Sequence, residues 1–424
     1  MNCKETEIKK GIKMHCIKTD KFKTNLIAVF LTTKLNRENV TKNALVSTVL
    51  RRGSKNMNTQ EEISKQMEEM YGASFDCGLD KTGDNQVLKF YIEVLNDKFL
   101  PKITDEDLLE NAVKRMLEIV FNPYIENESF KEEYVEQEKN NIQKIIEGKI
   151  DNKARYALDR CIEEMYKNQP FGLYKFGYVE DLKTLNGKNL YEYYKKLINE
   201  CKIDIFVSGN IDDKIEKTIS EDENIQKLEN RDANYIQPAI TNKEIPDKEN
   251  IVTESMEVTQ GKLVLGLDVD IDKEDFKYDT LIYNSLLGGT ATSKLFQNVR
   301  EKAHLAYVAS SSYLRNKSNI FINCGIDIPN YEKALELIRK QIEDMKKGDF
   351  TDEEIQNAKK GIIATIKTIE DEQDTEVSYY FGQELSNKRV SVKDYIEKIE
   401  KINKKDIIDI ANKITINTIY FLKD

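Results

Sequence analysis

The chain is predicted to be an α+β protein of two similar domains, each an antiparallel-rich sheet with helices packed on one face. Three observations carry this. Strand-like and helix-like segments follow one order to residue 225, and that order starts again after residue 250. Phe130, Val135, Lys139 and Ile142 fall on Phe350, Ile355, Lys359 and Ile362 at a constant offset of 220, as an internal repeat would place them. Between the halves, residues 226–250 are polar, contain Pro238 and Pro246, and keep no sustained period, which suits a linker. The expected domains are therefore residues 1–225 and 251–424, joined by 226–250. A length of 424 residues supports two ordinary cores.

The elements follow from local pattern. Leu26 to Leu31 is nearly continuous apolar sequence, as in a strand buried on both faces. A helix is expected around Asn43–Leu50, and Val87 to Leu95 reads as a strand. Thr104, with Asp107 three residues on, is expected to open a helix. Its apolar set Leu108, Leu109, Ala112, Val113, Met116, Leu117 and Val120 keeps the 3.6 period. Helices are expected to fill 129–166, and Ile203 to Val207 closes the first half as a strand ending at Ser208-Gly209-Asn210. In the second half Leu263–Val269 and Ile320–Ile326 read as strands. Tyr278–Leu287, Tyr331–Met345 and Thr351–Ile369 read as helices, the last opened by a Thr351-x-x-Glu354 capping box.

Composition narrows the function classes. One third of the residues are charged and 39% are hydrophobic, the balance of a globular chain. A net charge of −10 argues against general nucleic-acid binding, which needs Lys and Arg to displace counterions. Apolar runs fall short of the roughly 18 residues that span a bilayer. Met1 to Lys10 is polar and lacks an apolar stretch, so export by a signal peptide is not expected. The six cysteines include no Cys-x-x-Cys pair, which favours free thiols in a reducing cytoplasm. The two histidines, His15 and His304, are too far apart for two ligands one helical turn from each other.

The most informative stretch runs from Leu286 to Tyr307. It opens on Gly288-Gly289, continues through Leu295, Phe296 and Val299, and sets Arg300 seven residues before Tyr307. A guanidinium and a phenol are both donors, suited to holding a carbonyl oxygen whose negative charge is growing. Gly288-Gly289 fits a helix cap or hinge or a substrate-contacting loop. His304 is followed by Ser310, Ser311 and Ser312, but a serine-nucleophile site needs a base and acid placed in space. His15, in a strand-like segment, is expected to be an ordinary polar surface or edge group. The tyrosine groups Tyr191, Tyr193, Tyr194 and Tyr379, Tyr380 favour core or rim packing over lining a peptide chamber.

This block resembles the second-domain signature of the pitrilysin/insulinase zinc peptidases, in their small bacterial and mitochondrial-processing-peptidase-like branch. The resemblance extends to Gln260-Gly261-Lys262-Leu263 and Thr351 to Lys359. In the first half it covers Pro170-Phe171-Gly172, Gly177-Tyr178-Val179-Glu180-Asp181-Leu182 and Ser208-Gly209-Asn210. It implies two domains forming a clamshell, and an arginine–tyrosine pair that holds the substrate carbonyl, here Arg300 and Tyr307. It also implies a His-x-x-Glu-His zinc site shortly before a turn, here Arg52-Gly53-Ser54. Counting back, the histidine positions fall on Ala44 and Thr48 and the catalytic glutamate position on Ser47. Glu138 matches the first of two later glutamates, and Ile145 then occupies the third ligand position. The chain alone is expected to carry no metal, no cofactor and no catalytic residue.

The family includes heterodimers in which one subunit carries zinc and the other the arginine–tyrosine pair and a glycine-containing loop. The resemblance thus implies an α-like, non-catalytic subunit that binds peptide beside a homologous zinc-bearing partner. Alternatives are a structural or assembly protein and a stand-alone peptide binder. Gly72 to Cys77 falls where the family adds substrate to a sheet edge; an unremarkable edge strand fits equally well.

Overall fold

The computed structural model describes residues 3–101, 107–233, 236, 246, 248–271 and 276–424. Strands β1 (Cys3–Lys9), β2 (Ile12–Lys18) and β3 (Thr24–Lys34) lead into helices α1 (Val40–Val49) and α2 (Gln60–Glu69). Strands β4 (Ser74–Thr82) and β5 (Asn85–Leu95) and helix α3 (Leu108–Phe121) follow. A short ribbon, β6 (Ile125–Glu126) and β7 (Ser129–Phe130), precedes α4 (Glu132–Glu147), α5 (Lys153–Met165), α6 (Val179–Leu182) and α7 (Gly187–Glu200). Then come β8 (Lys202–Gly209), α8 (Lys214–Glu221) and α9 (Glu223–Lys227). The second run holds β9 (Asn250–Ser255), β10 (Gly261–Val269), α10 (Phe276–Asn284), β11 (Ala306–Leu314) and β12 (Asn319–Ile326). It closes with α11 (Tyr331–Lys346), α12 (Asp352–Lys367), α13 (Gln373–Leu385), α14 (Val392–Lys401), α15 (Lys404–Ala411) and β13 (Ile414–Lys423).

Most elements match the sequence reading. Thr351 caps α12 through the reciprocal box with Glu354. Helix α3 is capped by Asp107, whose side chain accepts from the Glu110 amide; Thr104 and Pro238 lie outside the described residues. Two expected helices are shorter. The ribbon takes Ser129 and Phe130, because Asn127 and Glu128 turn in the left-handed region, so the helix there begins at Glu132. Helix α10 widens at Ser285 into a π-helical turn, Ser285–Gly289.

Two compact units result. The first holds Met1–Glu147, Leu173–Pro238 and Glu370–Arg389. Its six-stranded sheet has the order β1-β2-β8-β3-β5-β4. The pairings are antiparallel except β2 with β8. Alternation sends Ile27, Val29, Leu31, Phe90, Ile92 and Ile205 into the main core with α1, α3 and α7. Ala28, Phe30, Val87 and Phe206 go to the opposite face, where α13 covers them with Val377, Tyr380, Phe381 and Leu385.

The second unit holds Gly148–Gly172, Ala239–Ile369 and Val390–Asp424. Its five strands have the order β11-β12-β10-β13-β9, again with one parallel pair, β13 with β9. This repeats the order β4-β5-β3-β8-β2 of the first unit. One face of the sheet carries Val264, Phe321, Tyr420 and Leu422, which pack on α5 through Tyr156, Ala157, Cys161 and Ile162. Each unit therefore takes the helix on its second sheet face from the other half of the sequence.

The offset of 220 survives in three dimensions. Helix α12 starts 220 residues after α4, and α13 starts 220 after α5. Lys139 donates to the Leu185 carbonyl at 2.9 Å, and Lys359 donates to the Glu400 carbonyl at 2.7 Å. The Leu185 carbonyl lies just before Asn186, which opens α7 with a capping box, and the Glu400 carbonyl, in the last turn of α14, lies three residues before Asn403, which opens α15 with another. In each unit the repeated lysine thus satisfies a backbone carbonyl in the segment that leads into a capped helix.

Candidate functional site

The positions at which the family resemblance expects metal ligands begin on α1, which is buried along most of its length. Ala44 is 1% and Ser47 2% exposed. The Ser47 hydroxyl donates to the Ala44 carbonyl at 2.8 Å, and Thr48 donates to the Leu45 carbonyl at 3.1 Å. Both alcohols are spent within their own helix. Asn43, also buried, donates to Gln86 at 2.8 Å and accepts from the Tyr193 hydroxyl at 2.7 Å.

The start of α1 is clamped by the Gly177–Leu182 motif. Gly177 has φ +77°, and a Cβ there would lie 1.9 Å from the Thr41 hydroxyl oxygen. That close approach lets the Thr41 oxygen accept from the Tyr178 amide at 3.1 Å, while its hydroxyl donates to Asp181. Arg37 also donates to Asp181. Burial pushes the Asp181 carboxyl up, but Arg37 and Thr41 together bring it below the ordinary carboxylate range.

The surviving acid of the site is Glu138 on α4, with a side chain 5% exposed. Its charge is met by the Arg52 guanidinium, which donates through Nε and also pairs through Nη2. Arg52 Nη1 further donates to Gln60 at 3.2 Å. Next to it, Ser54 and the Asn56 amide both donate to the buried Glu118 carboxylate, at 2.7 and 2.9 Å. Ile145, two turns beyond Glu138, is 42% exposed. A methyl, two alcohols already donating to carbonyls, and a sec-butyl group do not make a zinc donor set. The one carboxylate left is neutralised by arginine, so these residues do not fit the metal.

Among the described residues, one other group of potential metal ligands meets: Glu5, His15 and Glu384. It is an ion network already balanced by cations. Lys13 contacts Glu5 at 3.0 Å and Glu384 at 2.8 Å. Lys202 contacts Glu384 at 2.8 Å and Asp204 at 2.9 Å, and Arg389 pairs with Glu5 and Glu384. His15 overturns its sequence reading. It is 1% exposed, stacks on Phe206 at 4.2 Å and bonds Asp204 at 2.9 Å. The reason is topology: β2 lies between β1 and β8, so it has no open edge.

The Arg300–Tyr307 block sits in the second unit. A π-helix, Leu295–Lys302, carries Arg300 in its last turn. Its side chain is 42% exposed, lies 4.5 Å from the Phe296 ring centroid and has Nε 3.5 Å from Glu301. His304 makes the turn into β11 with φ +51°, a left-handed conformation more common for His than for most residues. Strand β11 forms one edge of its sheet, and its register with β12 shifts between Ala306 and Val308. Tyr307 stands at that bulge and is 65% exposed. Bulges re-aim side chains in this way. Among the described residues its hydroxyl has no hydrogen-bond partner, and no contact joins it to Arg300. Arg300 and Tyr307 thus flank one turn, both accessible.

Gly288 is buried where a Cβ would stand 2.5 Å from the Ser311 amide nitrogen; its lack of a side chain lets the π-turn pack on β11. Gly289 is exposed. Ser311 donates to the Asn284 carbonyl, and exposed His304 is not bonded to a serine among the described residues. Tyr191 and Tyr194 pack on Phe130 with ring centroids 5.4 and 5.6 Å away, and Tyr380 joins the core beneath α13. Strand β4, entered through Gly72, forms the edge of the first sheet. Sequence reasoning missed the Arg52–Glu138 pair and the network around Glu384. The network left a faint signal in the charges of strand-like segments, at Glu5, Lys13, Lys202 and Asp204; the Arg52–Glu138 pair left none.

Comparisons with known proteins agree with this geometry. Residues 184–362 match the family described as Peptidase M16 inactive domain. The "Probable inactive metalloprotease YmfF" of Bacillus subtilis (strain 168) is 34% identical over 422 residues, covering 97% of this chain and 96% of that protein. The "Uncharacterized zinc protease YmxG" of the same organism is 23% identical over 290 residues, covering 68% and 69%. Among solved structures, a conserved protein from Enterococcus faecalis V583 superposes with a TM-score of 0.92 at 28% identity, covering 100% of this chain and 99% of that one. The peptidase M16 inactive domain from Pseudomonas fluorescens reaches 0.78 at 17% identity, covering 100% and 98%, and speaks to the fold alone. With near-complete coverage at 34% identity and the same two-domain fold, the chain belongs to the pitrilysin/insulinase-type (M16) zinc peptidase family and is a homologue of its inactive members.

Proposed function

We propose that this chain is the non-catalytic, α-like half of a heterodimeric cytoplasmic peptidase. It binds peptide, and it supplies Arg300 and Tyr307 to a homologous partner subunit that carries zinc. The observation that carries this reading is the asymmetry between the two ends of the chemistry. The metal-ligand positions are filled by Ala44, Thr48 and Ile145, and Glu138 is neutralised by Arg52. Arg300 and Tyr307, in contrast, are exposed around one turn, and the phenol hydroxyl has no partner among the described residues. A structural protein has no need to keep such a donor pair in solvent. Donors aimed at a developing oxyanion stabilise it by about 3–4 kcal/mol. Gly288-Gly289 would shape the substrate loop beside them.

The test is co-expression with a homologous zinc-bearing M16 subunit, followed by cleavage of a quenched fluorescent peptide. The pair should cleave and the chain alone should not. Arg300→Ala and Tyr307→Phe should each lower kcat about 100-fold while the complex stays intact on gel filtration. A stable complex whose cleavage is untouched by both substitutions would establish an assembly role instead. Stoichiometric zinc in the purified chain, with chelator-sensitive cleavage, would sink the proposal outright.

A further inference from the structure

Within the second unit a groove of about 780 Å³ lies between the turn entering α5 and the residues leading into β10. Its walls include Lys153, Val258, Gln260 and Lys262, with Asp151 and Glu257 exposed at its rim. It continues into a nook of about 70 Å³ over the sheet, bounded by Val264, Val308, Asn323 and Gly325. These volumes suit a short extended ligand with one small apolar group.

Lys262 is the anomaly. It is half-buried, yet among the described residues no carboxylate ion-pairs with it. Its bond is to the neutral Gln260 oxygen. Burial alone lowers its pKa, as expected of an ammonium with no compensating charge. Lys153, in the same groove, donates to the Met256 sulfur at 3.1 Å. The rim acids are solvated and screened; the half-buried ammonium is not. The register explains the grouping. Lys262 pairs with Gly325 and Val264 with Asn323, while Val308 pairs with Gly325 from the other side. All five therefore share one face of the sheet. Gly325 leaves this face open and gives Gln260 its place, since a Cβ there would lie 2.6 Å from the Gln260 oxygen. The Asn323 side chain has no hydrogen-bond partner among the described residues.

We infer that this groove is a carboxylate subsite, with Lys262 and Asn323 as its ligands, and that it holds the free C-terminus of a peptide ending in an aliphatic residue. The Lys262 ammonium pairs with one carboxylate oxygen, the Asn323 amide donates to the other, and the terminal side chain fills the nook against Val264 and Val308. An ammonium without a counter-ion selects an anion, and the apolar nook beside it selects an aliphatic neighbour. The site rests on the peptide-binding reading above and is separate from Arg300 and Tyr307.

The test uses the whole chain and three fluorescein-labelled pentapeptides in an anisotropy titration. One ends in leucine as the free acid. The second is its C-terminal amide. The third is an amide carrying glutamate at the fourth position. The free acid should bind at least tenfold more tightly than either amide. Lys262→Met should erase that preference, Lys262→Arg should keep most of it, and Asn323→Leu should reduce it; thermal melts of each variant check folding. Equal binding of acid and plain amide by the wild-type chain overturns the subsite while leaving peptide binding intact. Tight binding of the glutamate amide assigns the carboxylate to a side chain and overturns the C-terminal assignment. Binding of no peptide overturns both this inference and the peptide-binding reading.

Discussion

Replacing Glu384 by glutamine should weaken the first unit at neutral pH and matter much less in acid. Glu384 lies on α13, which comes from the second half of the sequence yet seals one face of the first sheet. Burial pushes its carboxyl up, but Lys202 and Lys13 outweigh this and bring it down to about 2, against an ordinary 4.5. At about 1.36 kcal/mol per pH unit, the shift sets an upper bound of roughly 3.4 kcal/mol. The Glu384 side chain is 9% exposed, but Lys13 is 26% and Arg389 41% exposed. Solvent screening through those partners reduces the expected loss to about 2 kcal/mol. The sign follows from the depressed pKa. The folded state binds fewer protons, so the stabilisation is full above pH 4.5 and is lost as pH falls toward 2. Linkage puts it below about half its neutral value by pH 3. Urea unfolding of wild type and Glu384→Gln at pH 7 and pH 3, read by circular dichroism, measures the gap at each pH. A gap that stays constant, or widens in acid, would show that the network does not hold α13 through this charge.

Three further outcomes are expected. Arg52→Met should destabilise by about 3–5 kcal/mol, because it leaves the buried Glu138 without its cation; adding Glu138→Leu should recover most of the loss, and unfolding of both variants checks this. Burial, with Glu370 nearby, pushes the Glu376 carboxyl up to about 7. A raised acid favours the fold below pH 4.5 and loses that advantage as pH rises through 7, so Glu376→Gln should gain up to about 2 kcal/mol on wild type at pH 8 and nothing at pH 4.5. Phe381→Ala should cost about 3–5 kcal/mol, since its ring sits 4.2 Å from Phe30; hydrogen exchange should rise in α13 first, and uniform exchange across the chain would contradict this.

Much of the candidate site was legible in the sequence because it depends on residue identity. Alanine, threonine and isoleucine cannot replace zinc ligands in any conformation, and two distant histidines exclude the helical zinc motif. The Arg300–Tyr307 spacing was equally plain. Its accessibility was not, since that rests on the bulge at Tyr307 and on β11 being an edge strand. Lys262 was visible only as part of a motif; that no carboxylate among the described residues pairs with it is a fact of space.

Taken alone, the sequence determined the elements that depend on neighbours in the chain: the apolar strands, the periodic helices, the Thr351 capping box and the repeat at an offset of 220. Contacts between distant residues were left to the tertiary structure. It moved α5 and α13 onto the sheets of the opposite halves. It buried His15 between two strands, and it set Arg52 against Glu138 and Lys13 against Glu384, pairs separated by 86 and 371 residues. Local pattern records which face of a segment is apolar, but not which segment will cover it. That choice depends on strand order and on the charges that burial forces together.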